Sequence, residues 1–263
     1  MELIPTCPNC LNGDVKSQIE SSPYWGCPAC DLWFQNPMPP KKFEADEEKG
    51  EDGRSKGHRQ PPSDLAVAAL LAEAYATRWV KKLVPIQEGR TSYKVLDIGA
   101  KYPFFVSKLR DALNGAEAYG LDAMDQDRPN AEPIAKQYEA ELGIPMLLVD
   151  FEKVTTDQIL AQTSDGTKFD SLSMIHVFEH IYDPVDGIMR LDSLLQPNGV
   201  ILLRMPDNKV DGWRFHMSPQ HYSIHPYFWS EKAFTKLIER TNRFKILESF
   251  AVGGGTRDYI LCR

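Results

Sequence analysis

The sequence predicts a doubly wound α/β domain preceded by a small cysteine-based module. Three observations predict it. From about residue 93 onward, short apolar runs alternate with segments of helical composition, which implies a mostly parallel sheet covered on both faces. The last two apolar runs, FKILESFAV and TRDYILCR, are separated only by Gly253–Gly255, so they form a hairpin and one of them runs against the sheet. Near the start, four cysteines fall in two tight pairs, Cys7/Cys10 and Cys27/Cys30.

Length and composition agree with that division. A chain of 263 residues, 42% hydrophobic and 25% charged, holds one full α/β core plus an accessory module. A net charge of -7 argues against broad attraction to nucleic acid or to anionic lipid. No apolar run is long enough to cross a bilayer. The opening MELIPTCPNC lacks the basic-then-apolar pattern of a secretory signal, so a reducing, cytoplasmic setting is expected.

In that setting tight cysteine pairs read as metal ligands, not disulfides. Two knuckles separated by sixteen residues can place four thiolates at the corners of a tetrahedron. Four thiolates leave no open position, so the zinc they would hold is structural; iron has the same spacing requirement. Gly13 and Gly26 are expected to supply the permissive turn positions beside the knuckles. This ribbon, residues 1–37, lacks a face rich in Lys and Arg, which disfavours nucleic acid and leaves docking of a protein partner open. Residues 38–62 are dominated by proline, glycine and mixed charge and read as a flexible linker. The fifth cysteine, Cys262, is expected to be buried in the last strand.

The larger domain covers residues 63–263. Ser63 or Asp64 caps a helix rich in alanine and leucine that stops at Pro85. YKVLDIG is the first buried strand, followed by a helix with Pro103 in its first turn. AEAYGLDAM, IPMLLVDFE, FDSLSMIHV and GVILLRMP are the next four strands, with helices between them. Pro197-Asn198-Gly199 closes the helix before GVILLRMP. With the final pair this makes seven strands. Ligands in such sheets sit beyond the carboxyl ends of the strands, which selects Asp97–Gly99, Asp122, Asp150–Phe151, the residues after Met174, and Pro206 onward.

The segments VLDIGA, YGLDAMD, LLVDFE, FDSLSMIHVFEHIYDP and LLQPNGVILLRMP resemble, in order and spacing, the class I S-adenosylmethionine-dependent methyltransferases. That resemblance implies a Rossmann-like domain and S-adenosylmethionine as cofactor. It implies that Asp97, Gly99, Ala100 and Lys101 pass the methionine part, and that Asp122, followed by Ala123, accepts from the ribose hydroxyls. It further implies that Asp150 and Phe151 meet the adenine, and that Met174 and His176 line the inner edge. The N-terminal cysteine module also resembles that of relatives which methylate sugars, implying a small-molecule, sugar-like acceptor. In the first loop Lys101 and Pro103 replace two glycines of the family pattern, and Pro103 has no N–H to donate. The loop therefore holds the cofactor differently, or the chain is a binding or regulatory protein on a methyltransferase fold; a third reading is a nucleic-acid methyltransferase docked by the ribbon, which salt-dependent RNA or DNA binding would mark.

His176-Val177-Phe178-Glu179-His180 also fits an inverted zinc-protease string. On a helix His176 and His180 would share a face, but no third ligand is indicated, and the favoured reading is a loop oriented by Glu179 or His180. Methyl transfer needs alignment and, for a hydroxyl or carbon acid, a base. The segment 205–229 carries Asp207, Trp213, His216, His221, Tyr222, His225, Tyr227 and Trp229 and is expected to cover the pocket. Candidate bases are His221, then His225, then His180.

Overall fold

The computed structural model describes residues 5–17, 23–38, 65–83, 92–100, 102–123, 131–211 and 225–263. The chain begins with strands β1 (Lys16–Ser17), β2 (Tyr24–Gly26) and β3 (Trp33–Gln35) and helix α1 (Leu65–Leu83). There follow β4 (Lys94–Ile98), α2 (Phe104–Ala112), β5 (Glu117–Asp122), α3 (Ala131–Leu142), β6 (Met146–Leu148), α4 (Thr156–Leu160) and β7 (Phe169–Ile175). A 3-10 turn (Phe178–His180), α5 (Pro184–Leu194), β8 (Leu195–Pro206), β9 (Tyr227–Phe228), α6 (Glu231–Thr241), β10 (Lys245–Val252) and β11 (Thr256–Cys262) complete it. The capping residues Ser63 and Asp64, Pro85 and most of the expected linker lie outside the described residues.

The main sheet has seven strands in the order β10-β11-β8-β7-β4-β5-β6. β4 pairs in parallel with β5 and β7, and β5 pairs in parallel with β6. The short link between β10 and β11 forces the late antiparallel pairing. From β4 the chain steps outward through β5 and β6, then returns to lay β7 on the other side of β4. That reversal is the switch point, and it falls between Asp97 and its register partner Ser173. The predicted doubly wound, mostly parallel architecture is the one observed. No described helix is long and apolar enough to cross a membrane.

The chain forms two compact units. One comprises Gln60–Ile175, Met189–Leu202 and Cys262–Arg263; the other comprises Met1–Arg59, His176–Ile188 and Leu203–Leu261.

In the first unit every residue of β4 is buried, Lys94 included. Its ammonium is satisfied by Thr163 Oγ1 at 2.8 Å and the Thr167 carbonyl at 3.0 Å. Trp79 of α1 meets Phe105 of α2 edge-on at 5.1 Å. Two boundaries differ from the sequence prediction. β6 is only three residues long, because Val149 N–H turns back to the Leu147 carbonyl and Asp150 begins a turn. β8 starts at Leu195 and runs through the expected Pro197–Gly199 turn. A Cβ on Gly199 would stand 3.0 Å from the Asp170 carbonyl, so glycine here serves a close approach to β7 and does not mark a loop. Cys262 ends β11 half-buried, more open than expected.

In the second unit a four-stranded sheet runs β1-β2-β3-β9. The ribbon thus shares a sheet with a strand almost two hundred residues away: Trp33 pairs with Phe228 and Phe34 with Tyr227. Asn9 Nδ2 donates to the Ala233 carbonyl at 2.7 Å, and Arg240 donates to the Pro8 and Asn9 carbonyls at 2.9 and 3.0 Å. Phe178, Trp229, Phe234 and Tyr259 form a ring cluster, with Phe234–Tyr259 centroids 4.4 Å apart. Arg204 meets Asp258 through two bonds of 2.6 and 2.7 Å, both side chains buried. Serine at position 230 caps α6 by accepting from Ala233 N–H at 3.0 Å.

Candidate functional site

Among the described residues, three groups of side chains carry chemistry. The first lies at the carboxyl ends of β4 and β5. Asp97 is buried and accepts from Ser173 Oγ at 2.6 Å. Burial raises its pKa, the Ser173 bond lowers it and the charge of Asp122 raises it again; the balance stands at about 7. Asp122 ends β5 half-buried, with Ala123 beside it. Gly99 follows with φ of 76°, a left-handed conformation that suits glycine.

The loop after β4 uses its own backbone donors internally. Gly99 and Ala100 N–H both bond the Leu121 carbonyl, at 2.7 and 3.0 Å, and Phe104 N–H bonds the Tyr102 carbonyl at 2.8 Å. Pro103 sits at the N-cap of α2 and has no N–H to offer. Ala100 is buried against Met146 and Leu148. Lys101 lies outside the described residues. Among its described residues this loop therefore does not offer the row of free N–H groups that grips a pyrophosphate. A carboxylate at the end of β5, that of Asp122, has the chemistry to accept from two neighbouring hydroxyls of an adenosine-bearing donor. The residues fit a nucleoside held by its sugar better than one held by phosphate.

The other expected cofactor residues lie at the next strand ends of the same unit. Asp150 is half-buried; its Oδ1 accepts from Glu152 N–H at 2.9 Å and its Oδ2 lies 3.6 Å from Lys153 Nζ. Phe151 is buried, and its carbonyl accepts from Arg190 at 3.2 Å. Met174 is fully buried in β7.

The second group is in the other unit. His176 has φ of 56°, left-handed for a residue with a side chain, and its N–H bonds the Arg204 carbonyl at 2.8 Å. The segment from His176 to His180 is not an α-helix; only Phe178–His180 turns, as 3-10. His176 Nδ1 lies 3.4 Å from Glu179 Oε1. Glu179 is 1% exposed. Burial pushes its pKa up, but His176, His180 and His225 outweigh burial and hold it at about 2. His180 and His225 rings lie with centroids 4.7 Å apart. His225 is buried, and its carbonyl accepts from Tyr24 Oη at 2.7 Å and Gln35 Nε2 at 2.9 Å. Ligand atoms of Glu179, His180 and His225 all lie within 4.8 Å of one another. His221 lies outside the described residues. The grouping of Glu179 and His180 with a residue 45 positions later could not be read from local spacing.

The third group is the four cysteines. Cys7 and Cys30 sulfurs are 3.7 Å apart, and those of Cys10 and Cys27 3.4 Å. Four thiolates about 2.3 Å from a tetrahedral centre stand roughly 3.8 Å apart, so the observed spacing fits a zinc ion and not a disulfide. The knuckles match. Leu11 and Asp31 N–H donate to Cys7 and Cys27 carbonyls, and Cys7 and Cys27 N–H to Asn12 and Leu32 carbonyls. The left-handed positions fall on Leu11 (φ 61°) and Asp31 (φ 63°), one residue past each pair, and not on Gly13 or Gly26. The sharp turn is imposed by those paired bonds, not by glycine freedom.

Known proteins resemble this chain in the same terms. The profile of the family described as "Methyltransferase domain" matches residues 68–248, well over half of the chain. The ubiquinone biosynthesis O-methyltransferase of Pasteurella multocida (strain Pm70) is 27% identical over 132 residues, which is 48% of this chain and 51% of that protein. The match thus spans about half the length of that relative. Among solved structures, coclaurine N-methyltransferase bound to N-methylheliamine and SAH aligns with a TM-score of 0.54 at 7% identity, covering 87% of this chain and 82% of the other. Magnesium protoporphyrin IX methyltransferase from Synechocystis PCC 6803 with bound SAH gives 0.50 at 17% identity, covering 79% and 90%. At these identities the solved structures show a shared fold. Taken with the family match over residues 68–248, the chain belongs to the class I S-adenosylmethionine-dependent methyltransferase family.

Proposed function

We propose that this protein transfers a methyl group from S-adenosylmethionine to a small-molecule acceptor. The observation that carries the reading is the acidic strand-end pair at the switch point: Asp97, fixed by Ser173, and Asp122, half-buried at the end of β5. Asp122 is assigned to the ribose hydroxyls. Asp97, Gly99, Ala100 and Lys101 are assigned to the methionine part, and Asp150, Phe151, Met174 and His176 to the remainder of the donor. The donor supplies an electrophilic methyl on sulfonium; the chain's work is to hold it and align the acceptor. His180, His225 and His221 are assigned to the acceptor side.

The relatives' names support a small organic acceptor, since ubiquinone biosynthesis and coclaurine both involve one. A sugar-like acceptor is the finer version of this proposal, and a cytoplasmic setting suits four reduced thiolates. We further assign residues 1–37 to a zinc ribbon, 38–62 to a linker and 63–263 to the methyltransferase domain. Isothermal titration of the zinc-loaded full chain with S-adenosylhomocysteine tests the donor half. One site is expected, weakened at least about tenfold by Asp122→Ala, the loss of a charge-assisted bond. A well-folded protein that binds neither S-adenosylhomocysteine nor S-adenosylmethionine would refute the enzyme reading.

A further inference from the structure

Glu179 poses a physical problem that the donor site does not solve. It is 1% exposed, and neither carboxylate oxygen accepts a hydrogen bond among the described residues. A buried carboxylate without hydrogen bonds is costly unless a cation meets it. His176 Nδ1 lies 3.4 Å from Oε1, and its side chain is 40% exposed. One carboxylate oxygen also lies within 4.8 Å of a ring nitrogen of His180 and of His225.

We infer that Glu179, His180 and His225 form a site for one first-row divalent cation, separate from the four-cysteine centre. Their three ligand atoms lie within 4.8 Å of one another. Ligands held about 2.1 Å from one ion stand roughly 3 to 4 Å apart, so a side-chain shift of about an ångström or less closes the set. Two imidazoles and one carboxylate suit zinc, iron, cobalt or nickel better than magnesium or calcium, which take oxygen shells. The frame is rigid where a ligand set needs it. Tyr24 and Gln35 pin the His225 backbone, and Phe178, packed on Trp229 and Phe234, holds the turn that presents Glu179 and His180. His176, in its left-handed conformation, stands behind the carboxylate as a positioning residue.

Three protein ligands leave at least one coordination position open, unlike the closed shell of the cysteines. Of the three ligands His180 is the more exposed, half-buried where Glu179 and His225 are buried. The open position would take water or an oxygen-bearing small molecule, and a hydroxyl bound there becomes more acidic. The site shares His180 and His225 with the acceptor side assigned above, but its argument rests on ligand geometry and not on methyl transfer.

The test uses the full chain with its cysteine centre filled by zinc and excess metal removed. Cobalt(II) is titrated in, followed by visible absorption and by metal content per chain. One added equivalent is expected, with ligand-field bands but no thiolate-to-cobalt charge-transfer band, and with zinc retained. Glu179→Gln and, separately, His180→Asn at the more exposed ligand are each expected to weaken cobalt binding at least tenfold while keeping the zinc. Absence of an added equivalent in the wild-type chain overturns the site, as does cobalt that appears only with thiolate bands. Unchanged binding in a folded Glu179→Gln chain overturns it equally. Titration with S-adenosylhomocysteine is a separate readout, so failure here leaves the donor reading to its own test.

Discussion

At the scale of single residues, burial decides which charged groups matter. Asp97 looks in sequence like any acidic residue closing a strand, but it is 4% exposed, and burial pushes its carboxyl up to about 7. Its folded pKa is raised above the unfolded value, so the folded state holds the extra proton. That contribution is fully present below about pH 4 and is lost as pH rises through about 7. Asp97→Asn, which cannot ionise, is therefore expected to remove a pH-dependent loss of roughly 4 kcal/mol between those limits. Urea unfolding at pH 5 and pH 8 checks this: the wild type weakens toward pH 8 by more than the variant does. Arg204 and Asp258 make the opposite case. Their bidentate pair is buried on both sides, and Asp258→Asn leaves the Arg204 charge without its counterion. A loss of about 3 to 5 kcal/mol is expected in the same unfolding measurement. Nothing in the run GVILLRMP announced that its arginine would be buried, because the partner lies 54 residues on.

At the scale of elements, local pattern located the strands and helices, and neighbours set their ends. β4, β5 and β7 were legible because their apolar residues crowd into short runs between helical segments, as expected of strands covered on both faces. The start of β8 was not, since Pro197-Asn198-Gly199 has the composition of a turn. Tertiary approach to Asp170 of β7 overrode that signal. Gly199→Ala is expected to destabilise by about 1 to 3 kcal/mol, because its Cβ would press on the Asp170 carbonyl and on Leu195, 2.5 Å from its Cγ. A shift in the urea midpoint with unchanged slope would show it. The knuckles behave differently. Their cysteines were evident from spacing, yet their left-handed residues are Leu11 and Asp31, held by bonds around the metal cage. Cys27→Ser is expected to lower bound zinc to well under one equivalent. It should also speed hydrogen exchange at β3 and β9, whose pairing depends on the ordered knuckle.

At the scale of the whole molecule, chain order and spatial grouping part company. The ribbon folds together with His176–Ile188 and Leu203–Leu261, not as a bead set apart on a string. Its sheet is completed by β9, and α6 is tied to the first knuckle through Asn9 and Arg240. Chelation of zinc is thus expected to disturb residues far along the chain, including 227–240, which exchange mass spectrometry would read as lost protection there. Donor binding should act on global stability by mass action. S-adenosylhomocysteine at about a hundred times its dissociation constant is expected to add about 2.7 kcal/mol, seen as a higher melting temperature. At the same ligand concentration Asp122→Ala should cut that rise to about half or less, without lowering the melting temperature of the free protein by a comparable amount.

The sequence by itself determined the strand and helix succession, the acidic strand ends and the four-cysteine cluster, because each is written in local period or spacing. Only the tertiary structure decided which polar groups are buried, that the ribbon borrows a strand from residues 227–228, and that Glu179 and His180 meet His225. Those facts depend on which distant segments come together, and local period carries no information about that.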